Sequence, residues 1–80
     1  MENGLYVVRD AAAGHYLAIF MAVNNEVATR QFANAFLDHT GIMANNPADF
    51  DLYRIGNYDQ LTGEVKPEDR IVVARGTDYV

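Results

Sequence analysis

Gly4-Leu5-Tyr6-Val7-Val8-Arg9-Asp10, then Ala11-Ala12-Ala13-Gly14, then His15-Tyr16-Leu17-Ala18-Ile19-Phe20-Met21-Ala22-Val23 is the stretch that decides the fold. The first piece is rich in β-branched and aromatic residues, which suit a pleated, half-buried surface, so it reads as a strand. Alanines favour helix, but three of them closed by a glycine suit a hairpin loop better, with Gly14 taking positive φ. Residues 15–23 then form a second strand, antiparallel to the first. Its apolar character on both faces predicts a central place in the sheet.

Working outward, Asn24-Asn25-Glu26 reads as a helix start. An asparagine caps the free amides there, and Glu26 suits the positive end of the helix dipole. Ala28, Phe32, Ala35, Phe36 and His39 recur at helical spacing, with Arg30, Gln31, Asn34 and Asp38 mostly on the other side. This predicts a helix over 25–40, capped by Gly41, with its apolar stripe on the sheet. Residues 42–47 read as a connecting loop, marked by Asn45-Asn46-Pro47. Residues 50–58 read as a third strand, 59–63 as a turn, and 64–75 as a return strand interrupted at Pro67-Glu68-Asp69. Pro67 lacks an amide hydrogen, so it predicts an edge position or a break. Residues 1–3 and 76–80 are expected to be loose ends.

The chain is thus an α+β domain of order β-β-α-β-β, with room for a fifth short strand. A mostly antiparallel sheet carries one helix on one face. Eighty residues make one domain, and one this short has a thin core. No cysteine is present to support that core with disulfides or a thiolate metal site. Both sheet faces carry apolar residues: Leu5 and Val7 on one side of the first strand, Tyr6 and Val8 on the other. Leu52 stands against Tyr53 and Ile55 in the same way. One helix covers one face, so the other needs cover, and a partner subunit is the economical answer. A homodimer or higher oligomer is therefore expected.

Residues 50–59 (Phe-Asp-Leu-Tyr-Arg-Ile-Gly-Asn-Tyr-Asp), Thr62-Gly63 and Pro67 form the most distinctive segment. Together with Leu5 to Asp10, Gly14, and the helix segment with Ala28, Arg30 and Phe32, it resembles the small nonstructural protein of gokushovirus-type microviruses. These are single-stranded DNA phages. The resemblance spans nearly the whole chain. It implies a protein of the host bacterial cytoplasm, absent from the virion shell, acting in genome replication, with single-stranded DNA binding as its activity. It supplies no catalytic or binding residues.

The residues themselves leave the partner open. Net charge is −5 with one lysine and five arginines, so there is no global attraction to phosphate backbones. DNA binding would need arginines concentrated on one face beside stacking aromatics. Arg9 near Tyr6, and Arg54 between Tyr53 and Tyr58, are the best candidates, with Arg30 on the helix. Arg70 and Arg75 could add charge. Alternation places Arg9 with Leu5 and Val7, and Arg54 with Phe50 and Leu52; adjacent strands could bring those faces together. Against this, both arginines have acidic neighbours, and pairing with Asp10, Asp51 or Asp59 at the sheet rim is an ordinary fate. The alternative partner is a replication or assembly protein engaged through the open sheet face.

Catalysis is not expected. Serine and cysteine are absent, and Thr29, Thr40, Thr62 and Thr77 have no recognisable histidine partner. His15 and His39 lack metal-site spacing, and Asp49 and Asp51 suit capping and turns beside a proline-marked loop. No cofactor motif occurs. The start of the chain has no signal-peptide pattern and no apolar run is long enough to cross a bilayer, so no membrane role is expected. Phe20, Met21, Phe32 and Phe36 read as core, while Tyr6, Tyr16, Tyr53 and Tyr58 suit an interface or a stacking platform.

Overall fold

Asp10 makes the first reversal of the chain. In the computed structural model, which describes residues 2–37 and 41–79, its Oδ1 accepts from the amides of Ala12 and Ala13, both at 3.1 Å. Gly14 closes the turn at φ 78°, a backbone region that costs a glycine nothing. The turn joins β1 (Glu2–Asp10) to β2 (His15–Tyr16). The returning chain does not stay in one strand. It leaves the ladder after Leu17, whose amide still donates to the Val8 carbonyl at 2.8 Å, and rejoins it as β3 (Phe20–Ala22). Arg9 faces Tyr16 and Tyr6 faces Phe20, so the returning chain spans the same interval with one residue more. That surplus residue forces the detour.

The sheet is antiparallel, in the order β2-β1-β4-β5, with β3 also paired to β1. The fold is α+β, as the sequence predicts. Residues 15–23 are nevertheless not central. The central strands are β1 and β4 (Phe50–Asp59), which pair along their whole length, from Glu2 with Asp59 to Asp10 with Phe50. β2 and β3 lie at the margin beyond β1. Ile19, Met21 and Val23 remain exposed there, so the apolar run reflects an uncovered surface rather than a buried strand.

Helix α1 (Asn25–Asn34) starts as expected, with the Asn24 side chain accepting from the Val27 amide at 2.9 Å and Glu26 in the first turn. It is shorter than 25–40. The amides of Ala35, Phe36 and Leu37 bond three residues back, to Phe32, Ala33 and Asn34, which tightens the chain out of the α-helix. Ala35 caps it rather than Gly41. Asp38, His39 and Thr40 lie outside the described residues. The expected loop over 42–47 holds a short helix, α2 (Ile42–Asn45), followed by a 3₁₀ turn at Pro47–Asp49. Proline stands first in that turn, where its missing amide hydrogen costs nothing.

The core lies between α1 and one face of the sheet: Tyr6, Val8, Ala22, Ala28, Phe32, Phe50, Leu52 and Ala74, flanked by Phe20, Val27, Phe36, Met43 and Val73. Met21, expected in the core, is on the outside. β5 (Val65–Arg75) is the other edge, as Pro67 predicts. The proline does not break the strand. Gly56 faces Pro67 and Arg54 faces Ile71, so Glu68, Asp69 and Arg70 bulge past the single residue Ile55.

Residues 2–3 and 76–79 differ from the loose segments expected, while Met1 and Val80 lie outside the described residues. Glu2 and Asn3 belong to β1, and the buried Asn3 amide donates to Gln60 Oε1 at 2.8 Å. At the other end, Gly76–Tyr79 forms a 3₁₀ turn packed on the molecule. The Tyr79 ring lies 5.0 Å from the Phe36 ring, stacked, and 5.8 Å from Phe32. A terminal tyrosine finds a place because a ten-residue helix leaves the phenylalanines partly uncovered. Among the described residues, no helix is long and apolar enough to cross a membrane.

Candidate functional site on the open sheet face

The register of β1 against β4 sorts the candidate residues. Tyr6 faces Arg54, and Val7 faces Tyr53. Side chains alternate along a strand, so Tyr6, Val8, Phe50, Leu52 and Arg54 point toward α1. Leu5, Val7, Arg9, Asp51, Tyr53 and Ile55 point the other way. Arg9 and Arg54 therefore lie on opposite faces, and the shared surface that alternation allowed does not form.

Arg54 is occupied on the helix side. Its Nη1 donates to the Tyr6 hydroxyl at 3.1 Å and to Asn25 Oδ1 at 3.2 Å. Nη2 donates to Asn57 Oδ1, and Nε meets Glu68 Oε1 at 3.4 Å. Tyr6 is fully buried, and its hydroxyl donates to Asn25 Oδ1 at 2.6 Å. The network satisfies a buried phenol and ties β1, α1, β4 and β5 together. It leaves neither Tyr6 nor Arg54 on an accessible stacking surface.

The open face holds a different cluster. Arg9 faces Tyr16 across β1 and β2, with its guanidinium carbon 5.9 Å from the ring centroid. The Arg70 guanidinium lies over two rings at once, 5.3 Å from the centroids of both Tyr16 and Tyr53. Arg70 Nη1 also donates to the Tyr16 hydroxyl. The two tyrosine rings meet edge to face at 6.3 Å. The β5 bulge is what swings Arg70 inward over them.

The cations of this cluster carry no carboxylate partner among the described residues. The ion pairs there are Arg54 with Glu68 at 3.4 Å and Arg75 with Asp51 at 3.3 Å. Asp10 and Asp51, which could have paired with Arg9, serve the first turn and Arg75. Asp59 holds the second turn, accepting from the Leu61 amide at 2.9 Å; that bond lowers its pKa below the ordinary carboxylate value. In a chain of net charge −5, two arginines of the open face thus have no ion-pair partner among the described residues.

Two hollows flank Ile19 on this face. One, of about 330 Å³, is lined by Val7, Tyr16, Leu17, Ile19, Ile55 and Arg70. The other, of about 440 Å³, is lined by Leu5, Ile19, Phe20, Met21, Tyr58 and Val65. Tyr58 therefore belongs to the apolar end of the face, away from the arginines. Arg30 is exposed on α1, in the other layer. Of the six expected contact residues, the structure brings Arg9, Tyr53 and Tyr58 to one face and leaves Tyr6, Arg54 and Arg30 off it. Tyr16 and Arg70 join the cluster instead. A signal for Tyr16 is present in the hairpin, where its place opposite Arg9 follows from the turn length. Arg70 carries no such signal, because its place depends on the bulge.

Among the described residues, no group of three histidine, aspartate or glutamate side chains could hold a metal ion. His15 is exposed in β2, and His39 lies outside the described residues.

A family model described as Phage ORF5 protein matches residues 3–79, almost the entire chain. No curated protein and no solved structure matches it.

Proposed function

The chain belongs to the Phage ORF5 protein family, and from that premise we propose a noncatalytic accessory protein of a gokushovirus-type microvirus that binds single-stranded DNA through its open sheet face. It acts in genome replication, during single-strand synthesis, in the host bacterial cytoplasm. The observation that carries this reading is the Tyr16–Tyr53 pair with Arg70 and Arg9 over it, free of carboxylates among the described residues. Bases stack on tyrosine irrespective of sequence, and arginines beside the rings hold the backbone.

The energetics permit the exchange. Arg70 must leave the rings to admit a base, giving up roughly 0.5–1 kcal/mol per exposed cation–π contact. Each base stacked returns roughly 1–3 kcal/mol, and the displaced guanidinium becomes available to a phosphate. Binding with two arginines is modest and weakly salt-dependent. Two phosphate contacts on a single strand give a log–log slope on the order of −1.4.

Fluorescence anisotropy with a labelled single-stranded oligonucleotide across a salt series tests this. Binding strongest at low salt supports it, and no binding at the lowest salt overturns it. A second reading, an adaptor for a replication or assembly protein, is favoured by the net charge of −5 and by the apolar hollows beside Ile19. Recovery from infected cells of a protein partner that survives nuclease treatment would support that reading instead.

A further inference from the structure

We infer that a second copy of this chain packs against the open sheet face, sheet to sheet, about a two-fold axis crossing the strands near Val7 and Ile19. The face is large enough. The molecule measures 39 × 23 × 17 Å, and its broad side is comparable to the roughly 800 Å² that each partner contributes to a standard protein interface. Its surface is apolar where a soluble monomer should be polar. Ile19 and Val65 are 61% and 55% exposed, and Leu17 and Met21 stand out on the same margin.

The shape is self-complementary in the sense a two-fold requires. Ile19 projects between two hollows, so the Ile19 of each copy can enter a hollow of the other.

Charge selects the direction of the axis. Arg9 lies at one end of the face and Arg70 between it and the middle, beside Val7 and over Tyr16 and Tyr53, while Leu5, Met21, Tyr58 and Val65 toward the other end bear no charge. An axis running along the strands would set arginines on arginines. An axis across them sets the arginine end of each copy over the uncharged, tyrosine-bearing end of its partner. Asp51, which faces Arg9 across β1 and β4 and pairs with Arg75, stays with the arginine end of its own copy. This arrangement does not rest on DNA binding. If DNA binding also holds, the two occupants exclude each other, because both use the Tyr16–Tyr53 end.

Sedimentation of the full chain at tens of micromolar, without nucleic acid, tests the inference. The expected result is a mass twice 8.9 kDa. Ile19→Asp should weaken self-association at least about tenfold, as loss of a central anchor does, with an unchanged far-ultraviolet circular dichroism spectrum. Val65→Glu is the second variant, and it decides the outcome should Ile19→Asp disturb the fold. A monomeric wild type overturns the inference, whether or not it binds DNA, and so does a dimer that persists in both variants. A dimer that separates on adding a single-stranded oligonucleotide supports both readings. A stable dimer that ignores the oligonucleotide supports this one and counts against DNA binding.

Discussion

The guanidinium of Arg54 donates to the hydroxyl of Tyr6 at 3.1 Å, and the same hydroxyl donates to Asn25 at 2.6 Å. Arginine beside tyrosine resembles a nucleic-acid site in sequence. Here it is a structural joint: the tyrosine ring fills the core beneath α1, and the arginine satisfies its polar end. Tyr6→Phe should therefore cost about 1–3 kcal/mol, the range for leaving hydrogen-bonding groups unsatisfied. In urea denaturation the midpoint should fall with the slope unchanged. Oligonucleotide affinity measured under native conditions should stay the same, and a selective loss of affinity would return Tyr6 to the binding site.

The open-face cluster makes the opposite prediction. Tyr53→Ala should weaken oligonucleotide binding by about 1–3 kcal/mol, one stacked base. Arg70→Ala should make the salt slope shallower by about 0.7, one phosphate contact on a single strand. Arg30→Ala, on the far layer, should change neither quantity. Equal effects from Arg30 and Arg70 would show a diffuse electrostatic contact instead of a platform.

The carboxyl end is docked, and two substitutions probe it. A methyl group on Gly76 would lie 1.7 Å from the Pro47 carbonyl oxygen and 2.7 Å from that of Phe50. Backbone cannot rotate away as a side chain can, so Gly76→Ala should destabilise by about 3 kcal/mol, the upper part of the overpacking range. Gly14→Ala meets nothing within 4 Å and carries only its positive φ, about 1–2 kcal/mol. Tyr79→Ala should cost about 1–2 kcal/mol, from two aromatic contacts. Thermal melts that rank Gly14→Ala below Gly76→Ala would disprove the docking.

Asp59 links stability to acid. Its folded pKa lies below the value of 3.8 because the Leu61 amide donates to the carboxylate. The folded form thus holds its proton less tightly than the unfolded form. The stabilisation is complete above the unfolded pKa and is lost as pH falls through the folded one. Asp59→Asn keeps an acceptor for that amide without titrating. As pH falls through 3.8 and on through the lower folded pKa, melting temperature should fall less in the variant than in the wild type. Parallel curves would assign the acid sensitivity to other carboxylates.

The elements whose causes are local were legible in the residues. Gly14 and Gly63 take positive φ where the turns require it, Asn24 caps the helix, and Ala28 and Phe32 are its buried stripe. The α+β order follows from these, because each depends on neighbours within a few residues. What depends on register emerged with the assembled sheet. One surplus residue between Tyr16 and Phe20 splits the returning strand, the pairing of β1 with β4 leaves that apolar run at the margin, and a bulge at Glu68 to Arg70 carries an arginine over two tyrosines. The pairing of β1 with β4 separates Arg9 from Arg54. Alternation has a period of two, so a single unpaired residue exchanges the faces of everything beyond it. Local sequence fixes the period of a strand but not its phase against a distant partner, and the functional face of this protein depends on that phase.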